Sequence, residues 1–215
     1  MRIAKGGVSW ILSSVIIAAV LLALSLLLHS LAQVLSLMLF IFFDIIACVL
    51  IIFFRDPERP IGTGVVAVAD GMIREITALQ DPEVGECIRI STFMNIHNVH
   101  VNRMPLDGTI TTLTHQKGGH VPAFQKESER NERVIILIQT SVGVVKVVQI
   151  AGALARRIVP YVRQGDTLEK GARLGLIRLG SRVDLYLPTK KIKPLSIHVH
   201  DRRKAGEDTL AELYD

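Results

Sequence analysis

Cysteine is scarce in this chain of 215 residues: only Cys48, in an apolar run, and Cys87, in a strand-like run, are present. Two thiols so placed give neither a disulfide framework nor the paired spacing of a zinc site, which fits a reducing compartment. Aromatic residues make up 5% of the chain, too few for the stacking platforms of a nucleic-acid binder, so nucleic acid is not an expected partner. No His-Glu-x-x-His motif occurs, which disfavours a helix-borne metal hydrolase. Low-complexity tracts are also missing.

Charge is absent from most of the N-terminal region. Between residues 8 and 54 the only charged or imidazole side chains are His29 and Asp44. Residues 10–28 form an uncharged run of about the length that crosses a bilayer, and residues 31–54 form a second, broken once by Asp44. His29, Ser30 and Gln33 supply a polar turn between them, so residues 1–54 read as an α-helical membrane hairpin. A cleaved signal peptide, with Ser30-Leu31-Ala32 at the cleavage site, is the competing reading; the apolar core is long for a signal, and another follows at once. Arg2 and Lys5 before the first run, with Arg55 and Arg59 after the second, favour both ends in the cytoplasm. The expected location is the cell membrane, with the remainder of the chain on its cytoplasmic side. A net charge of +5 suits work beside anionic lipid, and clusters such as Arg202-Arg203-Lys204 are ordinary solvated surface unless lipid lies against them.

Past Arg55-Asp56-Pro57-Glu58-Arg59-Pro60, whose prolines stop the helix, the pattern shifts to short runs of period two. Residues 65–69, 72–76, 87–92, 109–115, 134–140, 144–150, 174–178 and 183–187 read as strands, separated by turns such as Asp70-Gly71, Asp107-Gly108 and Gln164-Gly165-Asp166. The fold class is mainly β, a compact sandwich or barrel-sandwich over residues 55–215, with one short helix expected at 209–214. Tyr161 to Gly171 is similar to the turn of biotinyl and lipoyl carrier domains, although no lysine sits on a hairpin tip for attachment. A membrane-anchored, non-enzymatic adaptor with a carrier-like β domain is therefore one functional alternative.

The Gly180-Ser181 step is the only Gly-Ser dipeptide in the chain and lies between two strand-like runs. A serine held on such a turn can attack its own preceding carbonyl, convert the amide to an ester and lose that ester by β-elimination. Hydrolysis of the new terminus leaves a pyruvoyl ketone, a built-in electron sink that replaces an external cofactor. Most Gly-Ser pairs are plain turns, so the neighbours decide. Self-cleavage needs a base near Ser181 and a carboxylate to orient it; His97 and His100 are candidates for the first, Asp70 and Asp184 for the second. The spacing of His198 and His200, or of His97 and His100, also permits a His-ligated metal hydrolase, but no third ligand is evident.

Several ordered motifs carry a resemblance. They are Asp56-Pro57 with Arg59; Ala69-Asp70-Gly71; Phe93-Met94 followed by Val99-His100-Val101-Asn102-Arg103-Met104-Pro105; Asn131-Glu132-Arg133; Gln149-Ile150-Ala151-Gly152; and Gly180-Ser181-Arg182-Val183-Asp184-Leu185-Tyr186-Leu187-Pro188. With these, residues 55 to about 188 resemble the proenzymes of the short-form phosphatidylserine decarboxylases, a family that includes archaeal archaetidylserine decarboxylases. The resemblance implies cleavage between 180 and 181 into a larger β chain (1–180) and a smaller α chain (181–215), which stay together as a heterodimer; the membrane hairpin and any unprotected edge strand leave room for further dimerisation. It implies Ser181 as the pyruvoyl residue that forms a Schiff base with substrate, His100 as base, Asp70 as orienting acid, and no metal. The expected partners are the bilayer and a serine phospholipid, which loses carbon dioxide to give the ethanolamine lipid. Longer relatives carry a second histidine where Arg103 stands, so that histidine's role does not transfer; Arg103 and Arg182 are the candidates to hold substrate anions.

Overall fold

The computed structural model describes residues 2–119, 121, 130–152, 157–178 and 181–214, and the chain separates into two compact units, Met1–Glu58 and Arg59–Asp215. Gly180, the residue before the candidate nucleophile, lies outside the described residues.

In the first unit β1 (Arg2–Ile3) leads into α1 (Val8–Leu27), and α2 (Ser30–Phe53) returns to β2 (Arg55–Asp56), which pairs antiparallel with β1. The helices are long and apolar enough to cross a membrane, with mean hydropathies of 2.6 and 2.9. Their buried seam is built from small residues: Ser14, Ala18 and Ser25 on α1, Ser36 and Ala47 on α2. Small side chains let two helix backbones approach, and the hydroxyls bond across the gap. Ser36 donates to the Leu21 carbonyl at 2.7 Å and Ser14 to the Phe43 carbonyl at 3.4 Å. Leucine, isoleucine and valine cover the outside, and Asp44 also lies on the exposed side of α2.

The second unit runs β3 (Val65–Val66), β4 (Gly71–Asp81), β5 (Gly85–Met94), β6 (Val101–Arg103), β7 (Gly108–Gln116), β8 (Arg133–Thr140) and β9 (Gly143–Ile150). It continues with β10 (Ile158–Pro160), β11 (Thr167–Leu168), β12 (Arg173–Ile177), β13 (Ser181–Pro188), β14 (Arg202–Arg203) and β15 (Thr209–Ala211). An eight-stranded antiparallel sheet has the order β11-β7-β8-β9-β13-β5-β4-β14; a three-stranded sheet, β10-β12-β6, and the pair β15-β3 accompany it. Alternation sorts each strand. On β8, Val134, Ile136 and Ile138 enter the core, and on β13 Val183, Leu185 and Leu187 do so. Leu174 and Ile177 of β12 and Ile158 of β10 close the same core from the other side. The mainly β, sandwich-like expectation holds, without closure into a barrel among the described residues.

One expected element is wrong. Residues 209–211 form a strand, not a helix, because Thr209 and Ala211 pair with Val66 and Val65 while Leu210 and Ala211 are buried. A six-residue pattern cannot hold a helix against pairing that buries it in a core.

Candidate active site

Ser181 is the first residue of β13, opposite Met94 of β5, and its side chain is fully buried. The chain leaves the three-stranded sheet at Ile177 and enters the large one at Ser181, so the serine stands where the backbone changes sheets. Its Oγ donates to the Arg178 carbonyl at 3.3 Å. Alternation puts it on the same face of β13 as the core residues Val183 and Leu185.

His100 is also fully buried, just before β6. Its carbonyl accepts the Ile177 N–H at 3.3 Å, one residue from the carbonyl that Ser181 uses. Both groups therefore hang from the end of β12. The His100 Nδ1–H donates to the Asn98 carbonyl at 2.8 Å, which places the ring's lone pair on Nε2. Asn98 is itself set in a tight turn: its Oδ1 accepts the Asn95 N–H at 2.8 Å and its N–H reaches the Asn95 carbonyl at 2.9 Å. His97, on the outside of that turn, is exposed.

Asp70 gathers three segments. Its carboxylate takes Arg59 in a bidentate pair at 2.5 and 2.9 Å, the Ala205 N–H at 2.8 Å and the N–H of Val99, the residue before His100, at 3.4 Å. Arg59 is nearly buried; burial pulls its pKa down, and Asp70 more than offsets this, so the guanidinium is held charged. Gly71 follows because β5 passes close by: a Cβ there would collide with the Phe93 carbonyl.

Asp184, the other carboxylate candidate, is on the opposite face of β13 from Ser181. It is buried beside Arg182 at 3.0 Å, and burial pushes its carboxyl above the ordinary range in spite of that partner. Arg182 shares that outward face. Arg103 is buried, points away from Asn102 along β6 and donates to the Gly171 carbonyl at 3.1 Å. Neither arginine candidate for substrate anions sits on the Ser181 face of its neighbourhood. Among the described residues, no group of three or more His, Cys, Asp or Glu side chains is placed to hold a metal.

The residues missed from the sequence are Arg59 as the partner of Asp70, and the buried amides Asn102 and Gln149, joined by a 2.7 Å hydrogen bond. A signal existed. Gln149 continues the core-facing series Val145, Val147 on β9, where a polar residue is out of pattern.

A sandwich unit whose buried centre holds a serine at a sheet crossing, a histidine of fixed tautomer and an ion-paired aspartate, preceded by an apolar hairpin, is an enzyme's arrangement. The chain belongs to the phosphatidylserine decarboxylase family, whose model matches residues 46–211, and it is thus a carboxy-lyase of phospholipid biosynthesis. A phosphatidylserine decarboxylase proenzyme of Streptomyces coelicolor is 48% identical over 189 residues, 87% of this chain and 83% of that protein. Putative archaetidylserine decarboxylase proenzymes of Halobacterium salinarum and Methanococcoides burtonii are 50% and 43% identical, covering 73% and 74% of this chain and 77% and 73% of their own lengths.

Proposed function

We propose that this chain is a membrane-bound proenzyme that cleaves itself between Gly180 and Ser181 and then decarboxylates a serine phospholipid on the cytoplasmic side. The observation that supports it most is that Ser181 and His100 are both fully buried and held to neighbouring residues at the end of β12, Ser181 by its Oγ on the Arg178 carbonyl and His100 by its own carbonyl on the Ile177 N–H. A hydroxyl is a weak nucleophile until a base takes its proton, and the Nδ1–H tautomer of His100 leaves Nε2 as that base.

In processing, Ser181 Oγ bonds to the Gly180 carbonyl carbon while its proton passes to His100. The Gly180–Ser181 C–N bond then breaks, and the freed Ser181 amine takes up a proton. Loss of the Ser181 Cα proton expels Gly180 as a carboxylate, and water replaces the nitrogen of residue 181, releasing ammonia. Asp70 acts by holding the Val99 peptide against Arg59, which sets where His100 begins.

The residues present suit a pyruvoyl group at 181: it would be enclosed by β9, β5 and β12, with buried polar side chains beside it. Such a group supplies a ketone beside an amide carbonyl, which takes up the electron pair left when carbon dioxide departs. His100 then serves as proton donor to the head group, and the core residues Val183 and Leu185 on the same face of β13 leave a carboxylate beside residue 181 poorly solvated.

Intact mass tests the proposal. The wild-type chain should give fragments 1–180 and 181–215, and Ser181→Ala should stay whole; two fragments from that variant would refute it. A single unbroken wild-type chain that is active would overturn the self-cleavage reading. Vesicles of phosphatidylserine and of archaetidylserine, assayed side by side, identify the lipid backbone.

A further inference from the structure

The Gln149 side chain is fully buried, and among the described residues its Oε1 accepts no hydrogen bond. Nε2 donates to Asn102 Oδ1 at 2.7 Å, and Asn102 Nδ2, the donor that a flip of both amides would turn onto Oε1, reaches Met94 Sδ at 3.7 Å instead. The β12 backbone leaves room for this amide, since a Cβ on Gly175 would sit 3.2 Å from Gln149 Nε2. A buried carbonyl oxygen without a donor loses its hydration and gains nothing in return. This one lies beside Ser181. Gln149 stands opposite Val183 of β13 and Val134 of β8, both core residues, so it occupies the inner face of β9. Ser181 is two residues from Val183 on that face, a diagonal pair with Cα atoms about 7–8 Å apart and within reach of a long side chain.

We propose that Gln149 Oε1 is the acceptor for the amino group of the substrate's serine head group, with Asn102 holding it in that orientation. This rests on the reading of residue 181 as the reacting carbonyl. An amine about to attack a carbonyl must present its lone pair to the carbon and its N–H bonds to acceptors. A neutral amide oxygen suits this role better than a carboxylate, which would keep the amine protonated and without a lone pair. Gln149 thus positions substrate, and its loss spares self-cleavage.

The test uses the full-length chain in detergent and three mass measurements on wild type, Gln149→Leu and Gln149→Glu. These are the fraction cleaved at 180–181, the phenylhydrazine adduct on the 181–215 fragment, which reports the ketone, and the dihexanoylphosphatidylserine captured there by cyanoborohydride. All three proteins should cleave and react with phenylhydrazine alike. Capture should fall by about tenfold or more in Gln149→Leu. In Gln149→Glu capture should persist with its pH dependence moved upward, because the new carboxylate holds the amine protonated. Undiminished capture by Gln149→Leu overturns the proposal. So does failure of a normally folded Gln149→Leu to cleave, since the amide would then serve Ser181. Should Gln149→Leu not fold, an unshifted pH profile in Gln149→Glu overturns it. A wild-type fragment that takes no phenylhydrazine removes the pyruvoyl reading itself, a result separable from all of these.

Discussion

His100 and Asp70 meet through a peptide: Asp70 accepts the Val99 N–H, and the imidazole Nδ1–H goes to the Asn98 carbonyl. A neutral carbonyl fixes the tautomer as a carboxylate would, without adding charge behind the ring. The two residues should therefore respond differently to substitution. His100→Gln removes the base and should slow processing by about 10²–10⁴-fold with the melting temperature little changed. Asp70→Asn should slow processing and also destabilise by about 3 kcal/mol, because buried Arg59 loses its bidentate partner and keeps only Glu207, at 3.9 Å, as a counter-charge. Time courses of chain cleavage beside thermal melts check both, and equal stability of Asp70→Asn and wild type would contradict the shared role. Ser181, His100 and Asp70 stand out in the sequence because each sits in a short local motif. The Asn102–Gln149 bond was not, since it joins residues 47 apart whose meeting depends on how two sheets face each other.

Among the elements, β13 does most to organise the site, and its two faces have different jobs. One carries Ser181, Val183, Leu185 and Leu187 inward; the other carries Arg182, Asp184 and Tyr186. On that outward side Lys146 of β9 packs over the Tyr186 ring at 4.5 Å and pairs with Asp81 and Glu83 at the end of β4. Burial opposes charge on both members of the Lys146–Asp81 pair, yet their mutual bond wins: the Asp81 carboxyl is held low and the Lys146 ammonium high. The stability that Asp81 contributes is present above the ordinary carboxylate range and lost as pH falls through its lowered value. That from Lys146 is present below the ordinary lysine range and lost as pH rises through its raised value. Lys146→Met should cost about 3 kcal/mol at neutral pH and flatten both limbs, while adding Asp81→Leu should restore most of the loss. Melting curves across the pH range measure this, and a fully additive double variant would exclude the pairing. Most strands could be read from period-two alternation, because each buries one face. β15 was misread because its length is too short to show a period, and only its partner β3 defines it.

At the scale of the whole molecule, the proposed cut falls where it can change chemistry without dismantling the fold. Residues 181–215 contain β13, an interior strand paired with β9 on one side and β5 on the other, both from the larger fragment. The same small fragment adds β14 to the edge of β4 and β15 to β3. Leaving would strip two ladders of hydrogen bonds from the middle of the eight-stranded sheet and expose Val183, Leu185 and Leu187, now buried. Apolar burial of that kind is not screened by salt, whereas surface ion pairs are. The processed chains should consequently co-elute by size exclusion in detergent at high salt and separate only when a denaturant unfolds the sheet, with both events in one transition. Dissociation by salt alone would mean that the two pieces are held by surface charge. In that case β13 would not be the strand that locks the new terminus beside His100.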